Sequence, residues 1–254
     1  MTTACIVQAR LGSSRLPAKV LLPLPAGRTV LEEVLSRCKQ IPGVDVVVCA
    51  IPDTAENDIL ASFVSKANHV PYNPLFDTPP YPLGKDWAKG VTLVRGPEHD
   101  VLARYAKAAA AVNADIILRI TSDCPLLDPQ VCGELLKLRE RTNAGFASNS
   151  WPARSYPVGF DCEVFTREAL ERANAAAPAM SPPGTLFERM DLATFDAHQD
   201  REHAGCPWMM RQTDIKKALL KAMDDRSHLR WTLDTLQDYV TIWNEFERRE
   251  REAA

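Results

Sequence analysis

Residues 4–19 read ACIVQARLGSSRLPAK, and this stretch decides the fold. Its first part, Ala4–Ala9, is a short and mainly apolar run, which predicts a buried strand. The ten residues that follow hold three cations, two hydroxyl groups and a glycine, and a helical pattern begins at Thr29. Backbone N–H groups and fixed positive charge in such a loop suit a polyphosphate. The stretch therefore predicts a strand that opens into a nucleotide-binding loop.

Length and charge limit the class of protein. The 254 residues are enough for one large α/β domain, and we expect a single domain over residues 1–254. With 30 Lys and Arg against 33 Asp and Glu, the net charge of −3 gives no general preference for nucleic acid or an anionic membrane. No run approaches the roughly 20 apolar residues that span a bilayer, and the first residues lack a secretory profile. We therefore expect a cytoplasmic protein with no nucleic acid and no membrane partner.

The seven cysteines are scattered along the chain without the spacing of a zinc site. In the cytoplasm they are expected to be reduced thiols.

Strand and helix patterns alternate four times along the first half of the chain, which predicts a doubly wound sheet. After the first strand, the predicted strands are Val44–Ile51, Val91–Arg95 and Asp115–Ile120, and the predicted helices are Thr29–Gln40, Asp53–Lys66 and Asp100–Val112. A proline-rich excursion at about residues 70–90 interrupts the alternation, and a lid is one interpretation of it. The later predicted elements are strands at Gly145–Ser148 and Asp161–Phe165 and helices at Arg167–Ala177 and Thr235–Arg251. No repeat or linker indicates a second autonomous domain.

Metal-assisted attack at phosphorus needs hard oxygen ligands as well as cations. Asp123 is the first candidate, because it follows a hydrophobic strand at the carboxyl end, where ligands gather in such sheets. Asp128, followed by Pro129, is better explained as a helix cap. Asp234 precedes the last helix, and from spacing alone it is either a metal ligand or an N-cap.

The opening loop resembles the signature loop of the sugar cytidylyltransferases. It is most similar to the SpsF-like branch of spore-coat polysaccharide biosynthesis, which is related to the 3-deoxy-manno-octulosonate and acylneuraminate cytidylyltransferases. Further blocks agree in order: DVLARY (100–105), RITSDCP (119–125), YPVGFDCEVF (156–165), DREH (200–203) and WTLDT (231–235). Each block alone is weak, but together they cover nearly the whole chain.

The resemblance implies the nucleotide-diphospho-sugar transferase fold, a Rossmann-like α/β/α sandwich with a mostly parallel central sheet. It also implies transfer of CMP from CTP to a small polar acceptor with release of pyrophosphate, and a homodimer. The implied nucleotide-binding residues are Ala9, Arg10, Gly12, Ser13, Arg15, Lys19, Arg104 and Ser122. Of these, Arg15 and Lys19 are the catalytic cations, and Asp123 and Asp234 are the implied Mg²⁺ ligands. For Arg104, a surface salt bridge is the alternative.

Acceptor-site elements are expected in about residues 145–230. Asp161 and Glu163 alternate along a predicted strand and would share one face, where they could bind acceptor hydroxyls or a second cation; a solvated face is the alternative. Arg201 and His203 could bind an acceptor carboxylate or phosphate, and His203 is also a candidate base, although a structural histidine is the alternative. The sequence departs from the branch in its long proline-rich excursion and at Ala204-Gly205, where Val-Thr is usual.

Two rival functions are open at this point. A glycosyltransferase of the same broad fold usually carries an Asp-x-Asp motif, and Ser122-Asp123-Cys124 lacks one. A catalytically silent nucleotide-binding protein would be expected to have lost loop cations or a metal aspartate, and this chain keeps them all. The preference for cytosine rests on the resemblance alone.

Overall fold

The protein is described here by a computed structural model, which covers residues 1–25, 27–66, 88–177 and 192–253. Its centre is a seven-stranded sheet in the order β3-β2-β1-β4-β6-β5-β7. The strands are β1 Thr3–Gln8, β2 Val46–Pro52, β3 Val91–Gly96, β4 Ile116–Thr121, β5 Phe146–Ser148, β6 Glu163–Thr166 and β7 Lys217–Leu219. The helices are α1 Val30–Cys38, α2 Asp58–Lys66, α3 Val101–Ala111, α4 Pro129–Thr142, α5 Arg167–Ala176, α6 Leu192–Glu202, α7 Cys206–Arg211 and α8 Leu236–Ala253.

The first four strands are parallel, whereas β6 is antiparallel to both β4 and β5. Strand order reverses between β1 and β4, because β2 and β3 extend to one side of β1 and the later strands lie on the other. Gln8 and Thr121 are register partners at the carboxyl ends of these two strands. A doubly wound sheet binds ligands in the crevice at such a reversal.

Alternating side chains of β1 serve two separate cores, as expected for a strand that is buried on both faces. Cys5 and Val7 pack in the layer with α1, α2 and α4, whereas Ala4 and Ile6 pack in the layer with α3, α5 and α7. This confirms the predicted α/β/α sandwich with its mostly parallel sheet. A third, smaller cluster packs Ile242 and Phe246 of α8 against Leu233 and neighbouring residues.

Local signals place most helix starts as predicted. Thr29 and Glu32 form a capping box at α1, and the Asp128 carboxylate accepts a hydrogen bond from Gln130 N–H at the start of α4. β6 begins at Glu163, so the strand predicted from Asp161 starts two residues later than expected, and Asp161 lies just before it. The sequence interpretation also missed α6, α7 and β7.

The proline-rich excursion at about residues 70–90 lies mostly outside the described residues. Within the described residues, no helix combines the length and apolar character that a membrane span requires. All seven cysteines are buried and free of disulfides.

Gly159 lies at the point where two segments that are far apart in sequence pack closely together. Val158 exchanges backbone hydrogen bonds with Leu229 O and Trp231 N, which places the 156–163 segment beside residues 229–232. At Gly159, φ is +104°, and an added Cβ would lie 2.6 Å from the carbonyl carbon of Trp231. Only glycine satisfies both the left-handed conformation and this close backbone approach.

We therefore expect Gly159→Ala to lower the free energy of unfolding by about 2 kcal/mol or more, because strain and a backbone clash add together. Gly43→Ala is the matched control: Gly43 also has a positive φ of +89°, but its nearest neighbour is the flexible end of Leu136 at 3.7 Å. The control should lose only about 1 kcal/mol in urea unfolding. Equal losses in the two variants would contradict the close-approach explanation.

Candidate active site

A cavity of about 520 Å³ lies at the carboxyl ends of β1 and β4. It collects nearly all of the residues that the sequence singled out. Those that line it are Ala9, Arg10, Gly12, Ser13, Arg15, Lys19, Arg104, Ser122, Asp123, Asp161, Glu163, His203 and Asp234. Arg201 does not line it. Tertiary folding therefore brings the loop after β1, the turn after β4 and the segment before α8 to one place.

The loop after β1 is anchored by backbone hydrogen bonds at Leu11 and Ala18, whereas its arginines are exposed. Asn57, which is fully buried, accepts a 3.0 Å hydrogen bond from Leu11 N–H, and Ala18 N–H donates to Leu11 O across the loop. Ala18 itself has a positive φ of 54°. Arg10 and Arg15 remain solvent-exposed. The loop thus presents cations to the cavity from an anchored backbone.

Lys19 joins the two candidate metal ligands. Its ammonium group donates to Asp123 Oδ2 at 2.7 Å, to Asp234 Oδ1 at 3.0 Å and to the carbonyl oxygen of Leu233 at 2.6 Å. An ammonium group has three donors, so these contacts occupy all of them. Two carboxylates that are distant in sequence therefore converge within hydrogen-bond distance of one nitrogen.

Asp234 is not the N-cap of α8. Thr235 and Asp238 exchange reciprocal hydrogen bonds at the start of that helix, which leaves the Asp234 carboxylate to the cavity. Its Oδ1 also contacts Arg15 at 2.9 Å, and its Oδ2 accepts a 2.6 Å hydrogen bond from Arg230. Burial by itself would raise the pKa of Asp234, but these cations and Lys19 lower it below its ordinary value.

The donor set suits a magnesium ion that is shared with a polyphosphate. Mg²⁺ usually takes one or two protein carboxylates, with water and substrate phosphates as the other ligands. Asp123 and Asp234 supply that number. Within the described residues, no group of three or more acidic, histidine or cysteine side chains is arranged to hold a metal ion. A metal here would therefore also need ligands from water or from substrate phosphates.

Arg104 is almost completely buried, so the alternative of a surface salt bridge was wrong. Its guanidinium donates to the carbonyl oxygens of Pro97 and Glu98, at 2.6 and 3.1 Å. Burial lowers the pKa of Arg104, and the charge of nearby Arg10 lowers it as well. Arg104 therefore adds positive charge beside the loop cations.

Arg119 is a site residue that the sequence interpretation missed. It lies opposite Glu163 in the register of β4 and β6, and its guanidinium donates to Glu163 Oε2 at 2.9 Å. Burial alone would lower the pKa of Arg119, but the Glu163 carboxylate raises it above its ordinary value. The sequence did contain a signal for this pair. Arg119 is a lone cation in an otherwise apolar strand, and a buried cation requires a partner of opposite charge. Arg154, which pairs with Asp161 at the cavity, gave no comparable signal.

His203 lines the cavity just beyond the end of α6. Its side chain is partly exposed at the cavity, and desolvation by the surrounding protein, together with the charge of Arg119, lowers its pKa. The lowered pKa favours the neutral imidazole, which can accept a hydrogen bond or a proton.

Arg201 has a structural role instead of the predicted acceptor contact. It is buried on α6, where its guanidinium donates to Asn174 Oδ1 at 2.7 Å and to Ala177 O at 2.5 Å. It also pairs with Asp100, the N-cap residue of α3, at 3.3 Å. These contacts join three helices behind the cavity. The prediction failed because neighbouring residues on a helix point in different directions.

Comparisons with known proteins agree with this geometry. A family model described as cytidylyltransferase matches residues 4–72. The spore coat polysaccharide biosynthesis protein SpsF of Bacillus subtilis (strain 168) is 32% identical over 93% of this chain and 83% of its own length. The chain belongs to the sugar cytidylyltransferase family. It is accordingly a nucleotidyltransferase enzyme.

Solved structures support the cytidylyltransferase fold. A cytidylyltransferase from Leptospira borgpetersenii serovar Hardjo-bovis (strain JB197) is 26% identical and superposes with a TM-score of 0.74, covering 96% of this chain and 85% of that one. A CMP:2-keto-3-deoxy-manno-octonic acid synthetase, solved in complex with CTP, superposes with a TM-score of 0.63 over 98% of this chain and 100% of that one. At 16% identity, the second likeness concerns the fold alone.

The contacts of Lys19 generate a stability prediction for this cytidylyltransferase. Lys19→Met should lower the free energy of unfolding of the ligand-free protein at pH 7 by about 2 kcal/mol, because it leaves two partly buried carboxylates without their shared partner. Since the folded-state pKa of Asp234 is lowered, the stabilisation is present above the ordinary aspartate pKa of about 3.9 and is lost as the pH falls through the lower, folded-state pKa. Urea unfolding from pH 7 down to about pH 2, which spans the ordinary aspartate pKa and the region below it, measures the difference.

Lys137→Met is the matched control, because Lys137 pairs with Glu134 on the exposed surface at 2.9 Å. We expect it to change stability by a few tenths of a kcal/mol, about the value of one surface pair. A Lys19→Met variant as stable as this control, or a loss independent of pH, would refute the role of Lys19.

Proposed function

We propose that this enzyme transfers CMP from CTP to a small polar acceptor and releases pyrophosphate, with Mg²⁺ as its cofactor. The acceptor is a sugar acid, a sugar or a phosphorylated or phosphonate compound, and the product serves surface polysaccharide or related biosynthesis. The observation that carries the proposal is the convergence of Asp123 and Asp234 on Lys19 beneath an exposed cationic loop. We also propose a homodimer and a cytoplasmic location.

The loop residues bind and orient the triphosphate. Arg10 and Arg15 are exposed at the cavity, and the anchored loop holds its backbone N–H groups beside them. Arg15 and Lys19 offset negative charge on the α-phosphate and on the pyrophosphate leaving group as the transition state forms. Because all three donors of Lys19 are in use in the ligand-free protein, Lys19 must give up at least one of its contacts, to Asp123, Asp234 or Leu233 O, in order to donate a hydrogen bond to a phosphate oxygen.

Asp123 and Asp234 are the residues that would hold the metal, and their carboxylate oxygens fit it. Bound there, Mg²⁺ would supply positive charge that offsets the phosphate charge and favours in-line attack by an acceptor oxygen. Arg15 and Arg230 hold the Asp234 carboxylate in place from two sides. Attack by the acceptor requires no covalent enzyme intermediate.

Asp161, Glu163 and His203 form the acceptor side of the cavity in this proposal. The two carboxylates are paired with Arg154 and Arg119, so their oxygens are held in defined positions. The neutral form of His203, which its lowered pKa favours, can accept a hydrogen bond from an acceptor hydroxyl. Arg201 is removed from this set, because its donors are used behind the cavity.

Nucleotide selectivity can be measured before the acceptor is known. We expect CTP with Mg²⁺ to raise the melting temperature more than UTP, ATP or GTP does. At 100 times its Kd, a ligand adds about 2.7 kcal/mol, or roughly 5–10 °C for a chain of this size. A larger shift with UTP or a nucleotide sugar would favour the glycosyltransferase alternative and overturn the proposed transfer of CMP.

Substitution of the aspartates separates an active enzyme from a silent nucleotide-binding protein. Asp123→Asn and Asp234→Asn should each lower pyrophosphate release by at least about 100-fold while the far-ultraviolet circular dichroism is unchanged. Asp128→Asn is the control, because Asp128 lies outside the cavity and asparagine is an equally good helix cap. Unchanged turnover in both cavity variants would remove the metal hypothesis.

A further inference from the structure

Arg230 bridges two carboxylates. Its Nη2 donates to Asp234 Oδ2 at 2.6 Å, and its Nε donates to Asp238 Oδ1 at 3.1 Å. Neither Arg230 nor Asp238 lines the cavity. A guanidinium group is planar and carries several donors in fixed directions, so one arginine can fix two carboxylates relative to each other. Through Arg230, a proposed metal ligand is therefore tied to a residue outside the cavity.

Asp238 also fixes the backbone of Asp234. Its second oxygen, Oδ2, accepts hydrogen bonds from Asp234 N–H at 3.1 Å and from Thr235 N–H at 2.8 Å. Asp238 lies in the first turn of α8, where the helix dipole favours a negative charge. Ile242 and Phe246 pack the same helix into the third hydrophobic cluster. A packed helix thus sets the position of Asp234 from outside the cavity.

The two oxygens of Asp234 have different surroundings. Oδ1 contacts Lys19 at 3.0 Å and Arg15 at 2.9 Å, and both of these cations line the cavity. Oδ2 contacts Arg230, which lies outside it. A triphosphate attracts the cations around it most strongly, because Coulomb attraction falls with distance. When Lys19 and Arg15 turn toward phosphate oxygens, Oδ1 loses these partners, whereas the hydrogen bond from Arg230 to Oδ2 remains.

The pair of Arg230 and Asp238 restrains Asp234 without cancelling its charge. An arginine whose only partner was Asp234 would oppose the approach of a divalent cation to that carboxylate. Here Asp238 offsets the positive charge of Arg230 at a distance of 3.1 Å. Hydrogen-bonded partners that orient a metal ligand in this way commonly change metal affinity by about 10–100-fold when they are removed.

We infer that Arg230 and Asp238 are positioning residues for the transfer reaction. Asp238 orients Arg230 and the backbone of Asp234, and Arg230 holds Oδ2 so that Oδ1 faces the cavity. Because neither residue lines the cavity, both act through the Asp234 carboxylate. The inference rests on the proposed function, since that proposal makes Asp234 a ligand of Mg²⁺.

Titration of the full chain with Mn²⁺ at saturating CTP tests the inference. The relaxation rate of water protons reports binding, and a titration of CTP alone is the blank; Mn²⁺ prefers oxygen ligands as Mg²⁺ does. Arg230→Met should weaken Mn²⁺ binding at least about fivefold, because Asp234 Oδ2 is released. A purely electrostatic effect has the opposite sign, since the substitution removes a positive charge. Unchanged or tighter Mn²⁺ binding by this variant overturns the inference.

Asp238→Asn separates positioning from helix capping. Asparagine retains an oxygen that accepts hydrogen bonds from backbone N–H groups, but it loses the charge-assisted bond to Arg230. We expect Mn²⁺ binding to weaken at least about threefold while the far-ultraviolet circular dichroism is unchanged. The double variant with Arg230→Met should bind Mn²⁺ as Arg230→Met alone does, because the two residues act as a unit. Wild-type binding by Asp238→Asn, or losses that multiply in the double variant, would contradict the role of Asp238.

Arg248→Met is the matched control, because Arg248 also lies on the α8 side, pairs with Glu245 at 2.9 Å and does not line the cavity. It removes the same charge and should leave Mn²⁺ binding unchanged. In turnover, Arg230→Met should raise the Mg²⁺ concentration for half-maximal rate at least about fivefold, while KM for CTP at saturating Mg²⁺ changes less than about twofold. Equal rises in both constants would indicate a general structural defect and refute positioning.

A measurement without metal keeps this inference apart from the proposed function. In the ligand-free protein, Arg230→Met should lower the melting temperature by about 2 °C or more, and in an Asp234→Ala background by at most about half as much. Equal losses in the two backgrounds overturn the inference. If the wild-type protein with CTP fails to bind Mn²⁺ while the two backgrounds differ as expected, the metal part of the proposed function is refuted and the fixing of Asp234 by Arg230 stands.

Discussion

The site depends on one ammonium group that joins three distant parts of the chain. Lys19 follows β1, Asp123 follows β4, and Leu233 and Asp234 precede α8, yet all three segments meet at the Lys19 nitrogen. A direct backbone bond from Leu233 N–H to Asp123 O, at 2.8 Å, holds two of these segments together. Because a partly buried carboxylate without a partner is costly, each segment stabilises the position of the others.

The balance of positive and negative side chains differs between the two sides of the cavity. Near the loop, Asp234 contacts three cations, and Arg10 adds a fourth that is exposed to solvent. On the opposite side of the cavity, Arg119 and Arg154 each have a carboxylate partner. The side near the loop therefore carries the cations that suit a strongly negative triphosphate, whereas the positive charges on the other side are balanced by carboxylates.

Local rules accounted for much of the fold. Thr29 with Glu32, Asp100, and Asp128 with Pro129 mark helix starts through contacts within four residues, so spacing alone placed them correctly. The short elements α7 and β7, of six and three residues, escaped prediction because such elements are stabilised by tertiary packing more than by their own sequence. The longer α6 was also missed, because its sequence LATFDAHQDRE does not sustain an apolar stripe at helical spacing. Arg201 was misassigned for a related reason: its partners Asn174 and Ala177 lie on and just after a different helix.

By itself, the sequence determined the alternation of buried strands with capped helices and the set of charged residues that follows the strand ends, because hydrophobic periodicity and capping act over a few residues. Only the tertiary structure excluded Asp234 as the N-cap of α8, brought its carboxylate to Lys19 and paired Arg119 with Glu163. Those outcomes depend on strand register and on the close approach of Gly159 to Trp231. Such contacts join residues far apart along the chain, and no local pattern specifies the distance between them.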